Sequence, residues 1–264
     1  MKILITGGNG YIATNIKPYL CSVYDVDIIT RKDVNLLDTE SVNNFFADKF
    51  YDVVIHTAIK GGSRLVEDST SIVYDNILML DNIISNRSHY KRLINLGSGA
   101  EILYPKTPYG MSKRAILNTI NSLDEHFTLR IFAIFNENEL DTRFIKSNIL
   151  RYINKQDLEI HQNKYMDFFS ITDFIKVIKM YIEVEDKYLD KEFDCCYGKK
   201  NNLVDIANII NNLDSYKVNL NIGNSSLGSN YTGKYFCRYD LNYRGLEKSI
   251  EDMFNILKNT YRNL

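Results

Sequence analysis

Apolar residues in this chain fall into two alternating kinds of segment. Short runs rich in Ile and Val cover residues 2–6, 27–30, 53–57, 93–96 and 128–135, and read as buried strands. Between them lie longer stretches whose apolar positions recur every three or four residues, the period of an amphipathic helix. Strands alternating with helices at this interval predict an α/β fold built on a doubly wound parallel sheet. After about residue 136 the pieces shorten, with helices expected at 142–154, 172–184, 203–212 and 245–261 and a polar, Gly/Ser/Asn-rich loop at 221–233. We therefore expect one domain over 1–135 and a smaller C-terminal α/β lobe over 136–264.

Composition narrows the classes of partner. The 264 residues carry 32 basic and 33 acidic side chains, so no general attraction to nucleic acid or to an anionic membrane is expected. The four cysteines, Cys21, Cys195, Cys196 and Cys237, lack the spacing of a zinc or redox motif and read as reduced thiols. No run approaches the roughly 18 apolar residues of a membrane span, and the first residues lead directly into a strand pattern. A cytoplasmic location is the expectation.

The first strand runs into Gly7-Gly8-Asn9-Gly10-Tyr11-Ile12-Ala13, followed at once by a helical pattern. Gly7 permits a tight turn and Gly10 lets backbone approach a pyrophosphate, while the helix N-terminus aims unpaired N–H groups at it. Glycines serving geometry alone would read the same way, but their place at the start of a doubly wound pattern favours a dinucleotide (Rossmann) site. After the second strand come Arg31 and Lys32, where an NAD enzyme places a carboxylate on the ribose 2'-hydroxyl. Two cations there favour the 2'-phosphate of NADP(H); a solvated surface pair is the alternative.

Tyr109 and Lys113 lie four residues apart, hence on one face of a helix expected to start there, behind a strand ending Leu96-Gly97-Ser98. Reduction of a carbonyl needs a proton donor, which a phenol can supply if its pKa falls from about 10. Lys113 can lower it electrostatically, and the Ser98 hydroxyl can orient the carbonyl oxygen.

Together these residues resemble the extended short-chain dehydrogenase/reductase superfamily (the NAD-dependent epimerase/dehydratase family) over nearly all of residues 1–135. Thr30 through Asp38, Ala58 through Gly62, Asp75-Asn76-Ile77 and Leu96-Gly97-Ser98 are similar to segments of the GDP-fucose synthase branch, which reduces and epimerises a GDP-linked 4-keto-6-deoxy sugar with NADPH. The resemblance implies that Gly7, Asn9, Gly10, Tyr11 and Ile12 cradle the pyrophosphate, that Arg31 and Lys32 meet the 2'-phosphate, and that Leu37 and Asp38 flank adenine. It implies further that Ala58, Ile59 and Lys60 line the nicotinamide side with Asn76 behind them, that Ser98, Tyr109 and Lys113 form the catalytic triad, and that the protein is a homodimer.

The departures shape the expected chemistry. Ser98 and Tyr109 are only eleven positions apart, so the insertion that usually contacts substrate is short. Ala100 stands where that branch has a catalytic cysteine, and residues 143–148 hold no histidine, which leaves reduction without epimerisation. Ala133 and Asn136 replace the Asn and Gly usual after the sixth strand. Glu101 is either a proton carrier or, more in keeping with its setting, a salt-bridged loop carboxylate. His56 reads as a buried strand histidine, and His89, His126 and His161 suggest no metal. In the second lobe Arg143 could clamp a diphosphate or merely decorate the surface, and Asp173 stands where the family lines its base pocket, with Met166 replacing a frequent arginine and Tyr231 and Arg238 near the late loop.

The expectation is thus an NADPH-dependent reductase of a nucleotide-linked 4-keto-6-deoxy hexose or heptose in cell-surface polysaccharide sugar synthesis, GDP-linked in preference to CDP- or dTDP-linked. An epimerase with tightly bound NAD(H) and a non-catalytic NADP(H)-sensing regulator are the rivals.

Overall fold

The structure is a computed structural model that describes residues 1–63, 66–236 and 238–262; Cys237 lies outside the described residues. The first part of the chain runs β1 Lys2–Thr6, α1 Tyr11–Val23, β2 Asp25–Ile29, α2 Thr39–Phe46, β3 Tyr51–His56, α3 Ser71–Ser85, β4 Tyr90–Ser98, α4 Ala100–Leu103, α5 Pro108–Asn121 and β5 His126–Ile131. The remainder runs β6 Ile134–Phe135, α6 Phe144–Ile153, β7 Leu158–Ile160, β8 Phe169–Ser170, α7 Ile171–Glu183, β9 Glu192–Cys195, α8 Leu203–Asn211, β10 Leu220–Ile222 and α9 Leu246–Arg262.

The central sheet is parallel, with strand order β2-β1-β3-β4-β5-β9. Its inner strands are covered on both faces by helices, which is why they read as unbroken apolar runs; Ile3, Leu4, Ile5, Val54, Ile55, Leu93 and Ile94 are all buried. On one face Leu4, Val54 and Leu93 pack with Met79, Leu80 and Ile83 of α3 and Ile116 and Ile120 of α5. The order reverses between β1 and β3, and in open α/β sheets such a switch point opens a crevice beyond the strands' carboxyl ends.

The chain divides into two compact units, Met1–Ile131 with Ile178–Phe193, and Phe132–Val177 with Asp194–Leu264. The second is built on two small parallel pairs, β6 with β8 and β7 with β10, and on a core that includes Phe135, Ile145, Ile149, Tyr152, Ile206 and Phe254. Tyr152 stacks on Tyr216 with ring centroids 4.5 Å apart.

One expected strand, 128–135, is two: pairing with β4 ends at Ile131, and Ile134–Phe135 pairs instead with Phe169–Ser170. The short strands β7, β8, β9 and β10 carry too few residues to show a period of their own, and the expected loop at 221–233 begins inside β10. No helix among the described residues is long and apolar enough to cross a membrane.

Candidate active site

The turn after β1 is set by Gly7, whose φ of +70° suits only glycine and whose added Cβ would lie 2.7 Å from both N and Cα of Ala58. Gly10 donates to the Gly7 carbonyl at 2.8 Å and opens α1 without a side-chain cap or an acidic residue in the first turn. Tyr11 and Ile12 are the helix's first residues. Beside this turn lies a cavity of about 420 Å³, lined by Gly7, Asn9, Gly10, Thr30, Arg31, Leu37, Ala58, Ile59 and Lys60 among others. The glycine cradle, the uncapped helix and the guanidinium on one rim fit the pyrophosphate and 2'-phosphate of NADP(H).

Asp38 caps α2, accepting from the Ser41 N–H at 3.2 Å, and neither it nor Lys32 lines the cavity. Short-range capping claims this carboxylate because it sits immediately before the helix. Asp33, which sequence reading passed over, folds back instead: its carboxylate accepts from the Thr30 N–H at 2.8 Å and the Thr30 hydroxyl at 2.7 Å, which hold it below the ordinary carboxylate range.

Asn76, fully buried on α3, fixes the opposite wall. It accepts from the Lys60 N–H at 2.8 Å, donates to the Lys60 carbonyl at 3.0 Å and donates to Ser112 Oγ at 3.1 Å, tying the segment after β3 to α5. The Lys60 ammonium pairs with Asp75 at 2.7 Å.

The local sequence places Tyr109 and Lys113 in the first turns of α5. Thr107 caps the helix by accepting from the Gly110 N–H at 3.1 Å, and Pro108 occupies the first helical position, where its missing donor costs nothing. Gly62, with a φ of +77°, lies against the Tyr109 ring: a Cβ there would come within 2.8 Å of two ring carbons. The Lys113 ammonium is 5.9 Å from the centre of that ring and donates to the Leu96 carbonyl at 2.5 Å. Burial pushes Lys113 down to about 8, against an opposing pull from Glu101. Ser98 is buried at the end of β4, and its hydroxyl accepts from the Ala100 N–H at 3.2 Å.

Glu101 is helical, not a loop residue, and has no exposed surface. It forms a buried ion pair with Arg130, 2.5 Å from the guanidinium Nε, and accepts from the Ser98 N–H at 3.2 Å. Thr6, His56, Asn95 and Thr128 stand at matching register across β1, β3, β4 and β5 as a buried polar row. His56 Nδ1 is 2.9 Å from Thr6 Oγ1, and burial followed by the charge of Lys113 holds the ring at about 3, hence neutral.

In the second unit Arg143 is exposed at the start of α6. Asp173 is fully buried, and its carboxylate accepts from Tyr197 Oη at 2.7 Å, Lys176 Nζ at 3.0 Å and the N–H groups of Arg244 and Gly245; these bonds hold the turn before α9 and leave no exposed oxygen for a substrate. Tyr231 packs edge-on to Phe132, and the Arg238 guanidinium lies over Tyr239. Sequence reading also passed over Glu139, which burial pushes up to about 8 against the charges of Arg143 and Lys146. It sits in an aperiodic polar run that gives no sign of burial. No cluster of potential metal ligands occurs among the described residues.

Residues 3–194 match the family model described as the NAD dependent epimerase/dehydratase family. The chain belongs to that family. Within it, the chain is 31% identical over 111 residues to the GDP-L-fucose synthase of Escherichia coli K12; that stretch is 40% of this chain and 34% of the relative, so the match spans about a third of the relative's length. The fold is similar to that of a GDP-6-OMe-4-keto-L-xylo-heptose reductase from C. jejuni, with a TM-score of 0.77 at 15% identity over 98% of each chain. It is also similar to a UDP-glucose 4-epimerase from Thermotoga maritima, with a TM-score of 0.74 at 15% identity over 99% of this chain and 100% of that one. A reductase and an epimerase thus both share this fold, so the fold alone does not separate the two activities.

Proposed function

We propose that this chain is an NADPH-dependent reductase of a nucleotide-linked 4-keto-6-deoxy sugar, hexose or heptose, GDP-linked in preference to CDP- or dTDP-linked, serving the synthesis of cell-surface polysaccharide sugars. The observation that carries the reading is the buried Lys113 ammonium beneath the Tyr109 ring, at the carboxyl end of the strand that also ends in Ser98. NADPH, when bound, would supply the reducing equivalent to the sugar's C4 carbonyl. Ser98 would orient the carbonyl oxygen by donating a hydrogen bond, and Tyr109 would deliver the proton that the oxygen takes up. Lys113 would make that delivery efficient by lowering the phenol's pKa with its charge. Gly7, Asn9 and Gly10 would hold the pyrophosphate, Arg31 the 2'-phosphate, Leu37 the adenine, and Ala58, Ile59 and Lys60 the nicotinamide side, with Asn76 keeping that wall in place. Residues 136–264 would take the nucleotide sugar, with Arg143 meeting its diphosphate.

Two absences in the sequence favour reduction over epimerisation: Ala100 in place of a cysteine and no histidine at 143–148. The epimerase reading draws on Asp33, a carboxylate near the end of β2 where NAD enzymes hold the ribose. The exposed side chains of Tyr74 and Ile77 on α3 and Met111 on α5 are consistent with a homodimer through these helices.

Tyr109→Phe tests the assignment. It should remove most turnover, on the order of a hundredfold or more, while NADPH binds as before. Unchanged turnover would dismiss Tyr109 as the proton donor.

A further inference from the structure

The pair Glu101–Arg130 belongs to none of the roles above, yet it is the most deeply buried ion pair among the described residues of the first unit, with Glu101 fully buried and Arg130 6% exposed. Removing two charges from water is costly, and such a pair tends to persist where it does something apolar packing could not. Three consecutive residues at the end of β4 show what that is. The Leu96 carbonyl accepts from Lys113, and a Cβ on Gly97 would lie 3.1 Å from both Glu101 carboxylate oxygens, so the carboxylate rests directly on the Gly97 backbone. The Ser98 N–H then donates to Glu101. Ammonium and carboxylate therefore grip the same tripeptide from adjacent positions. Gly97 is what admits the carboxylate, since its side-chain space is taken by Glu101 and the Thr128 methyl.

The other groups around Lys113 leave Glu101 as its counter-charge. From α3, Asp75 is already paired with Lys60. From β3, His56 is neutral. From β4, residues 93–98 carry no charge. From β5, Arg130 is bonded to Glu101 and to Glu192. On α5 itself, residues 108–121 hold no acidic side chain. Burial pushes the Glu101 carboxyl above the usual carboxylate range, and Arg130, clasped between two carboxylates, opposes that push and fixes Glu101 in place.

We propose that Glu101, anchored by Arg130, is a positioning residue that serves as the buried counter-charge of Lys113 and braces the Leu96–Ser98 segment, and so sets the pH up to which the Tyr109–Lys113 pair works. The inference rests on the reading of Tyr109 and Lys113 as proton donor and activator. Its mechanism is electrostatic: without the carboxylate, the buried ammonium loses its proton at lower pH, and above that pH nothing stabilises the phenolate.

The test is the titration of Lys113 in the full-length protein, followed by NMR of lysines labelled at Cε with carbon-13, with Lys113→Arg identifying the signal. It needs neither cofactor nor sugar, so it stands or falls separately from the reductase reading. In Glu101→Gln the Lys113 pKa should fall by about 1–2 units, and the alkaline limit of kcat/KM should move down by the same amount. Glu101→Asp, which keeps the charge, should restore most of both. A Lys113 titration in Glu101→Gln that matches the unmodified protein would overturn the proposal, since a merely structural role would change stability without moving that titration. Should Glu101→Gln not fold, the Glu101 carboxyl of the unmodified protein, labelled at Cδ with carbon-13, decides: a carboxylate already ionised at the pH where Lys113 titrates supports the proposal, and one still protonated there overturns it.

Discussion

Replacing Gly7 with alanine probes the cofactor cradle without touching a charged group. The new methyl would meet Ala58 N and Cα at 2.7 Å and Thr57 Oγ1 at 3.0 Å. The first two are backbone atoms that cannot swing aside, because Thr6 and His56, the residues just before the two segments, are paired across β1 and β3. Thr57 is held as well, its hydroxyl donating to the Thr6 carbonyl at 2.6 Å. A left-handed conformation costs a non-glycine residue about 1–2 kcal/mol, and forcing a methyl into filled space costs about 1–3 kcal/mol more. The sum, about 2–5 kcal/mol, divides between lost stability and displacement of the turn. At about 2–4 °C per kcal/mol for a chain of this size, Tm should drop by roughly 5 °C or more. If the turn moves to relieve the clash, the N-terminus of α1 moves with it, and calorimetry should show NADPH binding weakened at least about tenfold, or about 1.4 kcal/mol. A variant with unchanged Tm and unchanged NADPH affinity would refute both the cradle geometry and its assignment to the cofactor.

Three further outcomes follow from the same geometry. Arg31→Ala should weaken NADPH binding roughly tenfold to a hundredfold while leaving NADH binding within about twofold, because only the 2'-phosphate loses a partner; equal weakening of both cofactors would remove Arg31 from that role. Gly62→Ala would press a methyl against the Tyr109 ring, and kcat should fall by roughly tenfold to a hundredfold with NADPH affinity little changed; an unaltered kcat would show that the ring does not depend on this contact. His56 has a folded-state pKa of about 3 against an ordinary 6.5, so the unfolded chain takes up its proton first and stability is lost as pH falls from 6.5 toward 3. The loss should reach about 2 kcal/mol by pH 5, and His56→Gln should lack it when chemical denaturation is compared at pH 7 and pH 5; identical slopes for the two proteins would mean that the histidine is not held neutral.

How far the sequence could be read depended on whether the decisive interaction was local. The inner strands of the sheet were legible because both of their faces are covered, so most of their positions are apolar. The helix carrying Tyr109 and Lys113 was legible through their spacing, and Gly7 and Gly10 through the abrupt change from strand to helix around them. The capping role of Asp38 and the fold-back of Asp33 onto Thr30 were not legible, because both are side-chain contacts within turns that have no hydrophobic period. The separation of 126–131 from 134–135 depends on which partner strand each part finds, β4 or β8, and nothing within the run records it. Glu101 is the sharpest case. Its helix is four residues long, its partner Arg130 lies twenty-nine positions away on β5, and only the folded sheet puts the two together.

The central claim is net reduction, and the most direct measurement is the stoichiometry of NADPH consumption when purified protein meets a GDP-linked 4-keto-6-deoxy sugar, with the CDP- and dTDP-linked sugars alongside. The account predicts one NADPH consumed per C4 alcohol formed with at least one of these sugars, and little or no consumption with Tyr109→Phe. Interconversion of sugar epimers without consumption of added cofactor, by protein that already carries NAD(H) after purification, would contradict it.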